Sequence, residues 1–243
     1  MKILITNDDG IFAPGIIPLV EWAKTKGEVT VVAPKTEQSG KSHGINFTTP
    51  IEIQEVDVFP GVRAFSMDST PADCVRFGIM GLKEDYDLVL SGINRGVNMG
   101  VDIVYSGTVA AAFEAAYWDH RAIAISTYPD NLEYASAQLD RIYSFFEGGS
   151  LFDKALIYNV NIPNSAEGIR ITRQGSPYFN DGFEHLSDNL YIQTGDRVPD
   201  LFPDDLSRDV VAVEAGYISV TPITLNRVDE NAYKELIYLN GAQ

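Results

Sequence analysis

Short apolar runs alternate with helical patterns along the first two-thirds of the chain, and no other feature limits its possible folds as severely. Lys2 to Thr6 reads as a short buried strand, followed by a loop containing Gly10, Pro14 and Gly15. Ile16, Ile17, Val20 and Ala23 then recur at helical spacing to about Lys24, and Glu28 to Ala33 forms a second strand. A strand, helix, strand unit of about thirty residues has the length of a right-handed parallel crossover. The pattern repeats: a helix is predicted over Pro71–Leu82, opened by Pro71 with Asp73 in its first turn, and a strand over Asp87–Leu90 ends at Ser91-Gly92. An alanine-rich helix is predicted over Gly107–Trp118, a strand over Arg121–Ser126, a helix over Leu132–Phe146 and a strand over Ala155–Val160. The expected class is α/β, a doubly wound, mostly parallel Rossmann-like sheet.

Beyond Pro163 the character changes to short strand-like pieces, Ile169–Arg173, Leu190–Thr194 and Gly216–Thr221, and a short helix near Glu230–Tyr238. The chain is therefore expected to divide into an α/β core carrying metal and phosphate (residues 1–165) and a C-terminal extension rich in β-hairpins (166–243). That extension, packed on the sheet edge or exchanged with a neighbouring subunit, suits oligomer formation.

Charge narrows the partners. Eighteen Lys and Arg against 34 Asp and Glu give a net charge of −16, which repels polyanions, so no nucleic acid polymer is expected. No apolar run nears the roughly 18 residues of a spanning helix, and the first residues lack the apolar core of a secretory signal. The single cysteine, Cys74, allows neither an intrachain disulfide nor a thiolate-rich zinc site. A cytoplasmic protein with no membrane partner is the expectation. Any small anionic substrate must then meet positive charge locally, from few basic side chains.

Thr6-Asn7-Asp8-Asp9-Gly10 stands where the first strand runs out, at the sheet end where open α/β folds bind ligands. Two adjacent carboxylates repel in low dielectric unless a cation lies between them. Taken alone, the pair could equally shape the turn or cap the next helix. Three further loops change that balance: Pro34–His43 after the second strand, Ser91–Gly100 after the strand that follows, and Tyr105–Thr108 at the mouth of the alanine-rich helix. Asp8, Asp9, the Ser39 hydroxyl and the Asn94 carbonyl make an all-oxygen set suited to one hard divalent ion, Mg²⁺ or Mn²⁺. The helix start at Ser106, Gly107 and Thr108, together with Asn98, offers unpaired N–H groups to a phosphate. A divalent cation would polarise a phosphoryl oxygen and make hydroxide available near neutrality, with Asp8 or Asp9 orienting or deprotonating the water. His43 is a candidate general acid.

A phospho-accepting receiver domain also carries paired acids after its first strand, but is much shorter. An aspartyl phosphatase needs Asp where Asn7 stands. A non-catalytic nucleotide-binding module remains the alternative from another class, since a cradle does not prove turnover.

Ile5–Ile11 with Ala13-Pro14-Gly15 closely resembles the opening of the SurE survival-protein family of nucleotidases. The likeness continues in order through Gln38-Ser39-Gly40, Ser42-His43, Thr70–Val75, Ser91–Gly100, Tyr105–Ala111, Thr172–Gly175 and Gly216–Pro222. Phe12, Asn46 and the segment 177–209 depart from it. The resemblance implies a metal-dependent phosphomonoesterase of nucleoside 5′- and 3′-monophosphates that forms a homodimer or homotetramer. Asp8, Asp9, Ser39 and Asn94 match its metal positions, and Asn98 and Ser106–Thr108 its phosphate region.

Overall fold

In the computed structural model, which describes residues 1–241, β1 (Lys2–Thr6) lies inside a nine-stranded sheet. To one side are β2 (Glu28–Pro34), β4 (Arg63–Met67) and β3 (Ile53–Val56). To the other are β5 (Leu88–Arg95), β6 (Ala122–Thr127), β7 (Ile157–Ile162), β11 (Tyr217–Ile223) and β8 (Gly168–Ile171). The run β4-β2-β1-β5-β6-β7 is parallel, while β3 and β11 pair antiparallel with β4 and β7. The sheet is the doubly wound, mostly parallel α/β architecture expected. The chain proceeds outward from β1 through β2 to β4, then returns to the opposite flank of β1 as β5. The topological switch point therefore falls between β1 and β5, where such sheets hold ligands.

Strand alternation assigns the two faces. Ile3, Ile5, Val31, Leu88 and Leu90 point into a core shared with α1 (Ile16–Lys24), α4 (Leu132–Ala137) and α5 (Leu139–Gly149). Leu4, Val32 and Val89 point to the opposite core, shared with α2 (Pro71–Arg76) and α3 (Gly107–Tyr117). Residues i and i+2 of a strand share a face, so one sheet needs helices on both sides. Ala111, Ala112 and Ala115 of α3 are fully buried, and their small side chains bring this helix close to the sheet.

Several elements differ from the sequence expectation. The helix predicted over Pro71–Leu82 changes at Phe77 into wider turns, in which Leu82 N–H donates to Phe77 O and Glu84 N–H to Ile79 O. The helix predicted over Leu132–Phe146 is two helices meeting at Gln138, whose N–H makes a tighter bond to Ala135 O. Strand β5 continues past Leu90 to Arg95 because it resumes pairing with β6 beyond an irregularity between Ser91 and Asn94. Strands β3 and β4 carry little or no alternation and were not anticipated, nor was α6 (Asp209–Glu214).

Of the extension expected over 166–243, the described residues, 166–241, do not stand wholly apart. Strands β8 and β11 join the main sheet, and only the antiparallel hairpin of β9 (Phe179–Ser187) and β10 (Leu190–Arg197) forms a separate two-stranded sheet. The hairpin exposes Phe183, Leu186, Tyr191 and Ile192, and α7 (Glu230–Leu236) near the C-terminus buries none of its residues.

Asp209 ties this extension to the loop after β5. Its buried carboxylate accepts N–H bonds from Gly100 (3.0 Å), Gly175 (2.7 Å) and Val210 (2.8 Å). Replacing Asp209 by Ala strands these donors and is expected to cost about 3 kcal/mol, since hydrogen bonds to a charged group are among the stronger ones. Urea-unfolding midpoints of the two proteins measure the loss.

Candidate active site

The loop after β1 is held rigidly before any ligand arrives. Asn7, fully buried, accepts from Gly10 N–H at 3.1 Å and donates to Gly10 O at 2.8 Å, closing a turn over Asp8 and Asp9. Gly10 has φ +105°, a conformation that L side chains rarely adopt. Ile11 N–H donates to Pro34 O and Gln38 N–H to Asp8 O, so the loop after β2 is bound to the loop after β1. That binding brings Ser39 to the site.

Asp8 faces the start of α3. The Thr108 hydroxyl donates to Asp8 Oδ1 at 2.5 Å. A Cβ on Gly107 would stand 2.9 Å from Asp8 Cβ and 3.1 Å from its Oδ2, so only glycine leaves that carboxylate its place. Burial raises the Asp8 pKa, with the Thr108 bonds opposing. Asp9 is pushed up to about 6, by burial first and then by the charge of Asp8. Its Oδ2 is buried and makes no hydrogen bond.

Around the two acids is a cavity of about 440 Å³ that is also lined by Ser39, Asn94, Arg95, Asn98 and Ser106. Ser39 donates to Glu37 at 2.7 Å. Asn94 Nδ2 donates to Gly96 O, which commits its amide nitrogen and leaves its carbonyl oxygen without a side-chain donor. Asn98 Nδ2 is held by Ser126 Oγ at 2.8 Å. The Asn98 backbone is braced by β7: its N–H donates to Asn161 Oδ1, and its carbonyl accepts from Asn159 and Asn161. The Ser106 hydroxyl accepts from Val109 N–H and caps α3.

Three predicted residues sit differently from the expectation. Gly107 and Thr108 lie behind Asp8 rather than on the cavity wall: the first gives it room and the second a hydrogen bond. His43 is outside the cavity. Its Nε2 pairs with Glu114 at 2.8 Å and its ring stacks on Phe113, while Arg76 and Trp118 hold the other Glu114 oxygen. Burial works against ionisation of Glu114, but the bonds from His43, Trp118 and Arg76 outweigh it and hold its pKa low. This geometry makes His43 a brace between the loop after β2 and α3, outside the cavity lining rather than facing the two acids.

The donor set tests well against a hard divalent ion. It is all oxygen, joins two adjacent acids, one buried and one half-buried, whose ionised forms repel, and includes a buried carboxylate oxygen with no protein partner. Among the described residues no group of three His, Cys, Asp or Glu side chains converges as a metal cluster. Neutral serine and amide oxygens would have to complete the shell.

Known proteins place the chain. Residues 3–181 match the family described as Survival protein SurE. The chain belongs to the SurE family. It is 38% identical over 246 residues to 5′-nucleotidase SurE of Thermoanaerobacter sp. (strain X514), with 95% of each chain covered. It is 39% identical over 248 residues to 5′-nucleotidase SurE of Thermosipho melanesiensis, with 97% of this chain and 96% of the relative covered. The crystal structure of SurE protein from Aquifex aeolicus superposes with a TM-score of 0.80 at 34% identity, covering 99% of this chain and 100% of that one. Against this SurE fold, the residues the sequence did not single out are Glu37, Arg95, Asp102, Tyr128, Tyr178 and Arg197, all on the cavity wall. Arg95 directly follows Asn94 in a loop already marked as a ligand loop, so its signal was present.

Because Asp9 has a folded pKa of about 6 against an ordinary 3.8, the folded state holds its proton longer than the unfolded chain. Its contribution to stability in metal-free protein is full below about pH 4 and is lost as pH rises through 6. Asp9→Asn is expected to remove up to about 3 kcal/mol of this pH dependence. Urea titrations of EDTA-treated protein across pH 4 to 7 measure it.

Proposed function

We propose that this SurE-family chain is a divalent-metal-dependent phosphomonoesterase that hydrolyses nucleoside 5′-monophosphates, and 3′-monophosphates, to nucleoside and phosphate. The observation that carries the reading is the pair of adjacent acids at the β1/β5 switch point, Asp8 buried and Asp9 half-buried with one unpartnered oxygen, in a family whose relatives are named 5′-nucleotidases. Asp8, Asp9, Ser39 and Asn94 would hold one Mg²⁺ or Mn²⁺. Such an ion supplies Lewis-acid polarisation of the phosphoryl group and a lowered pKa for water.

The chain's own residues divide the remaining work. Arg95, exposed on the cavity wall beside Asp9, and the N-terminus of α3 behind Asp8 bias the site toward an anion in a protein of net charge −16. Asn98, fixed on three sides by Ser126, Asn159 and Asn161, presents its remaining amide oxygen without reorganisation. Thr108 and Gly107 fix Asp8, which leaves Asp9 as the freer acid to orient the attacking water. The cytoplasm is the compartment this reading implies; no helix among the described residues is long and apolar enough to cross a membrane. The exposed apolar residues of the β9–β10 hairpin support assembly of copies of this chain into a dimer or tetramer.

Purified protein treated with EDTA is expected to release no phosphate from 5′-AMP, and Mg²⁺ or Mn²⁺ to restore release. Asp9→Asn is expected to lower turnover at least a hundredfold with unchanged circular dichroism. A metal-replete protein that binds 5′-AMP yet never releases phosphate is a binding module, and overturns the reading. Light scattering on the intact chain and on Phe183→Lys checks the assembly, which the added charge is expected to weaken.

A further inference from the structure

The site cavity does not end at the acids. It shares Tyr128, Pro129, Tyr178 and Arg197 with a second cavity of about 580 Å³ that runs toward Asn164, Ser165, Glu214 and Gly216. The two spaces meet along one wall, built from the loop after β6 and the base of the β9–β10 hairpin.

Two side chains define that wall. Tyr178 is 1% exposed and packs with Met99, Val210 and Val213; its buried hydroxyl lies beside that of Tyr128 and makes no well-formed hydrogen bond. A buried hydroxyl without a well-formed hydrogen bond is a cost to folding. Arg197 is exposed and lies over the rings of both Tyr128 and Tyr178, 5.5 Å from each centroid. Among the described residues it makes no ion pair, although the chain carries 34 acids.

Local structure holds both groups in place. Arg197 is opposite Phe179 on the last rung of the hairpin, and Val198 N–H donates to Tyr178 O. Asp102 accepts from Tyr178 N–H at 2.7 Å and Phe179 N–H at 3.1 Å, tying the hairpin base to the loop that forms the site. A guanidinium held over two aromatic rings, with a hydroxyl lacking a well-formed hydrogen bond beneath it, is a preorganised surface for a planar, polar heterocycle. Bases stack on such planes, and little side-chain freedom is lost on binding.

We propose that Arg197 and Tyr178, backed by Tyr128, form the nucleoside subsite, where the base stacks on the guanidinium and the Tyr178 hydroxyl gains a well-formed hydrogen bond. The proposal rests on the nucleotide reading for its ligand, but not on turnover. It gives the hairpin base a role in recognition, separate from any role of the hairpin's outer face in assembly.

Calorimetry on the full chain with Mn²⁺ compares 5′-AMP with ribose 5-phosphate, which keeps the sugar and phosphate and lacks the base. Arg197→Ala is expected to weaken 5′-AMP about tenfold and ribose 5-phosphate less than twofold. Tyr178→Phe keeps the ring and removes only the hydroxyl; it is expected to weaken 5′-AMP severalfold without lowering the melting temperature. Unchanged 5′-AMP affinity in both variants overturns the proposal. So does equal weakening of both ligands by Arg197→Ala, which assigns the arginine to phosphate, and so does failure of 5′-AMP to bind the parent protein. Phosphate release is measured separately: a parent that binds 5′-AMP without hydrolysing it sinks the enzymatic reading and leaves the subsite standing or falling on the binding ratios.

Discussion

Two carboxylates forced together in a partly dehydrated crevice are the constraint on which the site is organised. Asp8 and Asp9 are consecutive, so the turn braced by Asn7 holds both beside the switch point between β1 and β5. Burial and mutual repulsion each disfavour their charged forms. The surroundings relieve this only in part: Thr108 serves one oxygen of Asp8, and one oxygen of Asp9 is served by nothing in the protein. Stability is given up locally for a geometry that a cation can use. Such a concession is tolerable because the two apolar cores above and below the sheet fix the strands that carry it.

Positive charge reaches the cavity by different routes from those a basic patch would take. The chain is strongly acidic, yet Arg95 and Arg197 stand on the cavity wall and neither forms an ion pair with a carboxylate among the described residues. Arg95 is kept there by its place at the end of β5 and by a contact of its Nε with Pro129 O. Arg197 is kept there by two aromatic rings. Elsewhere several arginines are neutralised by acids, Arg76 by Glu114, Arg173 by Asp205 and Arg208 by Asp200. Two free guanidiniums in one crevice therefore concentrate local field where net charge alone would repel an anion.

The legible part of the sequence was the part governed by periodicity and by loops immediately after strands. The crossover units around β1, β2, β5 and β6 follow from apolar spacing, and Asp8, Asp9, Ser39, Asn94, Asn98 and Ser106 fall on the cavity because each lies at or beyond the carboxyl end of a strand or at a helix start. The illegible part depends on contacts between residues far apart in the chain. His43 is near Ser39 in sequence, and only Glu114, 71 residues on, shows that it faces away. Thr108 reads as part of a phosphate cradle until its hydroxyl is found on Asp8, 100 residues earlier. Strand β3 escapes notice because an edge strand with half of its residues exposed has weak alternation.

The same reasoning explains why Tyr178 and Arg197 carry no sequence signal. They belong to a stretch between β8 and α6 in which polar and aromatic residues are mixed without period, and their meaning depends on where Asp102 and Asp209 anchor that stretch. Asp209 binds the turn at Gly100 from one side, and Asp102 binds the hairpin base from the other, so the loop carrying Asn94 and Asn98 is clamped between sheet and extension. A hairpin anchored in this way cannot shift without moving the cavity wall. Its outer face and its base are thus mechanically one element, and an assembly formed through the outer face would bear directly on the shape of the crevice beside the two acids.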